Sequence, residues 1–519
     1  MSLRTRRELF HDVGRGMFAA ALGPVVASDL GLGFAAEEAP KHLTFGDLDP
    51  LVSFLQETHP SKLLPKVAEK LKAGTDLKQF IAAAALVNAR AFGGEDYDGY
   101  HTLMALAPAY WMSMQETREE RRPLAVMKVL MRNSNRLQAV GGANAEVLKP
   151  VKAGKLAADQ PRGEQLREIV RKSDMAASEA TFAAICDTSK PEDALNALMM
   201  AVDDATDVHR IVLVSRAWDL VGFVGAERAH TLLRQSVHFC VQNEGNAAKR
   251  SQQVRELIPK MLDQYGLLGK KPGTKSADDE WVSKFAETIF RSTAAQAGEA
   301  VAAAIGEGIE AEAISQAIGV AANQLITRDE GRPKSEGGNK PAGSIHGDSI
   351  GVHACDSAHA WRHLARAGDR RTQVTSLILA GYQVARDRGE RGGNFLNWDP
   401  YPRAEHQEKV KGVAADSLLK ELDGAIREKN QSRAAALTNR IVVEKPDSIK
   451  ELIALFRGFA TSEDGALHAE KFFITATQEF EAARPIHRAG QLVGLSRVTA
   501  SEYGLPAPGF KEACDLMKG

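Results

Sequence analysis

The run Leu77-Lys-Gln-Phe80-Ile81-Ala-Ala-Ala-Ala-Leu86-Val87-Asn-Ala-Arg-Ala91 decides the fold. Its apolar residues recur at three- and four-residue spacing, the period of an amphipathic helix, and alanine is the residue that costs least inside one. Thr75 and Asp76, just ahead, place oxygens where the first free backbone N–H groups need an acceptor. The same period returns in Pro123 to Leu137, Pro191 to Val202, Val224 to Val241, Val282 to Ile289, Ile309 to Leu325 and Leu467 to Phe480, and a second alanine-rich run spans Ala300 to Ile305. Strand signals are nearly absent: Ile211-Val-Leu-Val214 has no turn residues on its flanks and reads as buried helix. The fold class is therefore all-α, a large irregular multi-helix bundle or solenoid-like assembly, with no fixed-period repeat to call an array.

Further helix starts are expected at Ser189 before Pro191-Glu192-Asp193 and at Thr461-Ser462 before Glu463-Asp464. Breaks fall at Gly141 to Gly163, Leu268 to Ser276, Arg328 to Ser344 and Arg388 to His406. The third is rich in charge, glycine and proline and reads as a solvated loop. The chain then divides into residues 1–35, an N-terminal helical region at 36–327, a loop at 328–344, and a C-terminal helical region at 345–519 packed on the first. The Gly392 to Pro402 stretch holds three aromatics; it reads as a loop packed onto the helices, the alternative being a lid over a pocket.

Residues 1–35 have the layout of an export signal. Arg4, Arg6 and Arg7 precede a largely apolar run from Met17 to Ala36, interrupted by Asp29, and Gly33-Phe34-Ala35 offers a cleavage position. The pair Arg6-Arg7 before Leu9-Phe10 resembles a bacterial twin-arginine signal, which implies the Tat-type export machinery as a partner and an exported, periplasmic or extracytoplasmic location. The alternative is a first amphipathic helix of a cytoplasmic protein. No later segment has the ~18 uninterrupted apolar residues needed to cross a bilayer, so no stable membrane insertion of the mature chain is expected. With 66 basic against 67 acidic side chains the net charge is −1, which removes the field a non-specific nucleic-acid binder requires. Cys186, Cys240, Cys355 and Cys514 form no Cys-x-x-Cys pair and sit in apolar helical contexts, so free thiols are expected.

Chemistry points to histidine. Four of the 14 fall between His346 and His363: His346 and His353 are seven apart, which on a helix is one face, while His359 and His363 are four apart, on another. Carboxylates stand three residues ahead of histidines in Asp98-x-x-His101, Glu227-x-x-His230 and Asp356-x-x-His359, the spacing that lets both groups of a helix share a metal. With 67 acids in 519 positions about two such pairs are expected by chance, so three is no excess. If facing helices bring these together, His101, His230, His353 and His359, with Glu227, form a site for iron, copper or zinc. Arg362 then neutralises an anionic substrate or reduced oxygen, and Glu227 or Asp356 is a ligand or the acceptor that orients an imidazole. Without metal, a histidine partnered by Asp98 or Asp356 serves as general base. No Gly-x-Ser-x-Gly elbow or phosphate loop is present.

Tyr97-Asp98-Gly99-Tyr100-His101 and Val352-His353-Ala354-Cys355-Asp356-Ser357, with His468-Ala-Glu-Lys471 as a third piece, resemble the histidine-bearing helices of the questin oxidase-like family. The resemblance covers about a tenth of the chain and implies an all-helical fold, a histidine-lined cavity and oxygen insertion into an aromatic or quinone-like substrate; His101 and His353 are the matched positions. The expectation is an exported helical oxidoreductase with a histidine-lined cavity acting on a small organic substrate. The alternative is a non-enzymatic helical scaffold with histidines spread over its exposed faces.

Overall fold

Asp76 begins the helix expected from the opening run. Its side chain accepts the backbone N–H of Lys78 at 3.1 Å while Gln79 reaches back to the Asp76 N–H at 3.1 Å, a reciprocal cap. This helix, α1 (Leu77–Phe92), stops at Gly93, whose φ of 59° favours a residue without Cβ, and it is buried along nearly its whole length. The computed structural model describes residues 42–333, 342–389 and 394–518; residues 1–35, with the expected export signal, lie outside them.

Among the described residues there are twenty-four α-helices and no strand, so the all-α expectation holds. After α1 come α2 (Tyr97–Gln115), α3 (Leu124–Ala139), α4 (Met175–Asp187), α5 (Val208–Val224) and α6 (Ala229–Gln242). Later in the chain are α7 (Ala311–Thr327), α8 (Ile350–Ala367), α9 (Arg370–Gly389), α10 (His468–Ala482) and α11 (Pro485–Glu502). Four of these pack in a closed circuit: α2 on α5, α5 on α8, α8 on α10, and α10 back on α2. Ile211 to Val214 lie buried in α5, as expected. None of the helices is long and apolar enough to cross a membrane. All four cysteines are free.

Thr44–Gly519 form one compact unit. At the described ends of the 328–344 segment Asp329 and Ser344 are buried while Pro333, Ala342 and Gly343 are exposed; Arg332 N–H donates to the Ser344 carbonyl (3.0 Å), and Gly343 N–H to that of Arg332 (2.8 Å). The buried Arg497 guanidinium donates to the carbonyls of Ile326 (2.6 Å) and Asp329 (2.5 Å). Polar backbone is thus satisfied from within. The described part of the aromatic loop packs on the helices, with Phe395 buried and Arg328 donating to the Trp398 carbonyl at 2.7 Å. Two expected starts differ. Ser189 donates to the Ile185 carbonyl behind it, and Thr461-Ser462 close a helix, Ile449–Ser462, instead of opening one.

Buried charges clamp the circuit. Lys128 on α3 and Glu470 on α10 form an ion pair at 2.6 Å, both side chains at 1% exposure or less, and the Lys128 ammonium also donates to the Ala460 carbonyl at 2.8 Å. On the far side of α1, His238 on α6 lies between two carboxylates, Nδ1 at 2.7 Å from Glu95 and Nε2 at 2.6 Å from Glu179. Both nitrogens face acceptors, so the ring is an imidazolium. Burial opposes that charge, but the two carboxylates outweigh it and raise His238 above its ordinary value. In the unfolded chain the imidazole loses its proton first, so this contribution is complete below about pH 6.5 and is lost as pH rises through the folded value. His238→Gln is expected to flatten the alkaline decline of stability, measured by urea unfolding across neutral pH.

Candidate functional site

Each helix of the circuit sends one imidazole inward, and the rings follow the order of the helices. Between ring centroids, His101 (α2) is 4.9 Å from His209 (α5), His209 is 5.8 Å from His353 (α8), His353 is 5.6 Å from His468 (α10), and His468 is 5.1 Å from His101. Tyr97 and Tyr100 cover one side, 4.3 and 5.1 Å from His101.

The start of α2 fixes the first ring. Asp96 caps the helix by accepting Gly99 N–H at 2.7 Å and is itself held by Arg136. Gly99 must be glycine because a Cβ would fall 2.5 Å from the Phe92 ring. Behind it the Asn88 amide donates to the Gly99 carbonyl (2.9 Å), Thr102 (2.9 Å) and Asn133 (2.8 Å), joining α1, α2 and α3. His101 Nδ1 is 2.7 Å from the Tyr97 carbonyl oxygen. A carbonyl only accepts, so Nδ1 carries the hydrogen and Nε2 keeps its lone pair. That Nε2 is buried with no hydrogen-bond partner among the described residues. At α5, Asp207 accepts the N–H groups of His209 (2.9 Å) and Arg210 (3.1 Å), and its Oδ1 lies 3.5 Å from His209 Nδ1, the arrangement of an oriented imidazole.

His468 opens α10 after a strained entry. Gly465, Ala466 and Leu467 all have positive φ (48°, 48° and 66°), and two of them carry a Cβ that disfavours it. Gly347 lies against this histidine, where a Cβ would fall 2.0 Å from His468 Cβ. Burial pulls His468 well below the ordinary imidazole range, and Lys471 and His101 push it the same way. Burial also lowers His101, helped by Lys471 and His209 and opposed by the Tyr97 hydrogen bond. Both rings are uncharged at neutral pH.

A cavity of about 700 Å3 adjoins the rings, its wall including His101, His468, His346, Asp98, Asp464 and Glu502. Arg132 and Arg136 at its rim are ion-paired to Asp464 and Asp96. A smaller cavity of about 90 Å3 reaches His353 from the side of Asp207 and Gln383. One turn into α10, Lys471 is buried; burial lowers its ammonium to about 8 against the pull of Asp356 and Glu470. Asp356 accepts from Thr475 at 2.7 Å, and burial raises its carboxyl above the usual range.

The structure thus brings together His101 and His353 of the expected residues, and adds His209 and His468. Asp98 lies at the cavity, largely exposed and 3.7 Å from Arg136. The other expected partners lie elsewhere. Glu227 sits in a 3-10 turn ahead of α6, exposed and ion-paired to Arg228, because Gly225 interrupts the helix on which the i, i+3 spacing depends. His230 packs on Phe182 at 5.8 Å, and burial lowers it to about 4. His359 faces Glu479 at 2.9 Å, and Arg362 donates to the same carboxylate at 2.7 Å and pairs with Glu312, so both belong to an ion-pair network joining α7, α8 and α10. His346 is not on the helix of His353: Ser349 caps α8 after it. Among the described residues no group of three or more His, Cys, Asp or Glu side chains is placed to hold a metal ion. In the sequence His209 is an isolated histidine beside Arg210, and His468 belongs to the His-x-x-Lys piece of the resemblance.

No family model, curated protein or solved structure matches this chain.

Two outcomes follow from this geometry. The unfolded imidazoles of residues 101 and 468 take up protons below about pH 6.5 while the folded ones do not, so stability falls as pH drops through that range. His101→Gln is expected to reduce that slope in urea unfolding measured between mildly acidic and neutral pH. Gly347→Ala, by forcing the His468 turn to move, is expected to cost roughly 1–3 kcal/mol and to shift the His468 ring signals in NMR.

Proposed function

We propose that the cavity beside the four imidazoles is the active site of an oxidoreductase acting on a small organic substrate, with uncharged His101 facing that substrate. The observation that carries this reading is the His101 Nε2 lone pair, buried and unbonded where the ring lines the cavity. A carbonyl fixes the tautomer and burial suppresses protonation, so the nitrogen is available as a base at neutral pH. A phenolic or enolic hydroxyl in the cavity donates a hydrogen bond to this nitrogen, and the hydroxyl's proton is lost together with its electrons, so no imidazolium–phenolate pair accumulates. With dioxygen as oxidant, a hydroquinone-type substrate loses two protons and two electrons and the oxygen leaves as hydrogen peroxide. An exported location favours dioxygen over a nicotinamide donor, which the periplasm does not maintain. The scaffold alternative expects histidines on exposed faces; the burial of His101 and His468 supports the enzyme instead.

The test is oxygen uptake by the purified protein with a panel of phenols and hydroquinones. Uptake with at least one class is expected, falling about 100-fold or more in His101→Asn at unchanged helicity, the usual contribution of a positioned base. Uptake unchanged in that variant overturns the reading. Iron, copper or zinc bound near one per chain, with activity following the metal, overturns its metal-free chemistry.

A further inference from the structure

We propose that the groove between the helices Leu418–Arg427 and Ile449–Ser462 is a second ligand site, which takes a medium-chain alkyl carboxylate with its anionic end at Arg121. The groove encloses about 690 Å3, and no histidine lines it among the described residues. Pro506 alone is common to its wall and that of the imidazole cavity, so the two sites stand or fall separately.

Small side chains keep the groove open. On the helix Ile449–Ser462, Ala454, Gly458 and Ser462 recur every four residues and so share one face, and all three line the groove. A Cβ placed on Gly458 meets nothing within 4 Å, although a helix interior favours almost any other residue over glycine. The walls are apolar and aromatic. Phe459 and Tyr503 meet edge to face with centroids 5.7 Å apart, and the Arg427 guanidinium lies over the two rings at 5.3 and 5.5 Å while Asp423 accepts from it at 2.7 Å. At about 1.5 Å per residue the face from Glu451 to Ser462 runs about 16 Å, the reach of an extended chain of about twelve carbons.

Positive charge crowds one end of that face. Arg121, Arg122 and Arg457 gather with Glu116 beside Gly458, and Arg118 pairs with the same carboxylate at 3.2 Å. Arg457 pairs with it at 3.5 Å, and Arg122 donates to the Glu116 backbone carbonyl at 3.4 Å. Arg121 has no carboxylate within 4 Å among the described residues, and the Nε of buried Arg457 has no hydrogen-bond partner there. Glu119 and Glu120, on the same turn, are exposed and form no ion pair with these groups among the described residues. Burial lowers the Arg457 guanidinium, and the charges of Arg118 and Arg121 push it the same way against the pull of Glu116. An anion bound here relieves that repulsion, and a planar carboxylate matches a guanidinium through two parallel hydrogen bonds. The remaining acids of the groove fix the ligand's direction. Glu463 is engaged, accepting the Gly504 and Leu505 N–H groups at 2.9 Å each, and the exposed Glu451 lies two turns back from Gly458. The carboxylate therefore sits at Arg121 and the alkyl chain runs over Gly458 and Ala454.

The probe is sodium dodecanoate, titrated into the full chain at neutral pH in a calorimeter, with dodecyltrimethylammonium as the cation of equal chain length. Saturable binding of dodecanoate is expected, with a dissociation constant of about 1 mM or tighter, and the cation is expected to bind at least about tenfold more weakly. Arg121→Gln removes the free guanidinium and is expected to weaken dodecanoate about tenfold or more, the contribution of a charged hydrogen bond. Gly458→Leu projects into open space and gains helix propensity, so the variant keeps its helicity by circular dichroism while dodecanoate binding falls about tenfold or more. No saturable binding, equal binding of the cation, or dodecanoate affinity unchanged in either variant overturns the proposal. An affinity that falls as protein concentration rises assigns the groove to a second copy of the chain and overturns it as well.

Discussion

Four imidazoles can share one interior only while most of them stay uncharged. At 4.9–5.8 Å between neighbouring centroids, two protonated rings would repel strongly in a medium from which water is excluded. Everything around the cluster enforces that condition. The Tyr97 carbonyl assigns the proton of His101 to Nδ1, the tyrosines cover one side, and Lys471 makes any added positive charge costlier still. A buried nitrogen lacking a partner costs about 1–3 kcal/mol, so a fold that keeps His101 Nε2 and His209 Nε2 unbonded carries a cost that packing elsewhere must offset.

The offsetting interactions lie one layer outward and carry charge. His238 between Glu95 and Glu179, Lys128 against Glu470, and Arg362 with His359 on Glu479 each link helices that are distant in sequence. In the first of these the two carboxylates hold His238 in its charged form. The molecule therefore separates its histidines by environment: an imidazolium where two carboxylates meet it, an uncharged base where burial and a carbonyl do. The proposed chemistry draws on the second group, and the joining of the helices that present it on the first.

The strained entry to α10 belongs to the same design. Ala466 and Leu467 hold a left-handed backbone that neither prefers, and Gly347 comes too close to His468 for any Cβ. Such a turn places the ring at the cavity wall and Lys471 one turn further in, which a relaxed helix start would not do.

The sequence by itself determined the all-α class, the buried character of α1 and α5, and the candidacy of His101 and His353, because helix period and histidine density are local properties written within a few residues. It misplaced Glu227, His230, His359 and Arg362, since an i, i+3 spacing means shared geometry only on an unbroken helix facing the right neighbour; Gly225 breaks one and Glu479 claims the others. His209 carried no motif of its own, and His468 only the His-x-x-Lys piece of the resemblance. Their roles come from the closure of α2, α5, α8 and α10 into a circuit, and only tertiary packing decides which faces of four helices, whose histidines stand more than a hundred residues apart from α2 to α5 and again from α8 to α10, turn toward one point.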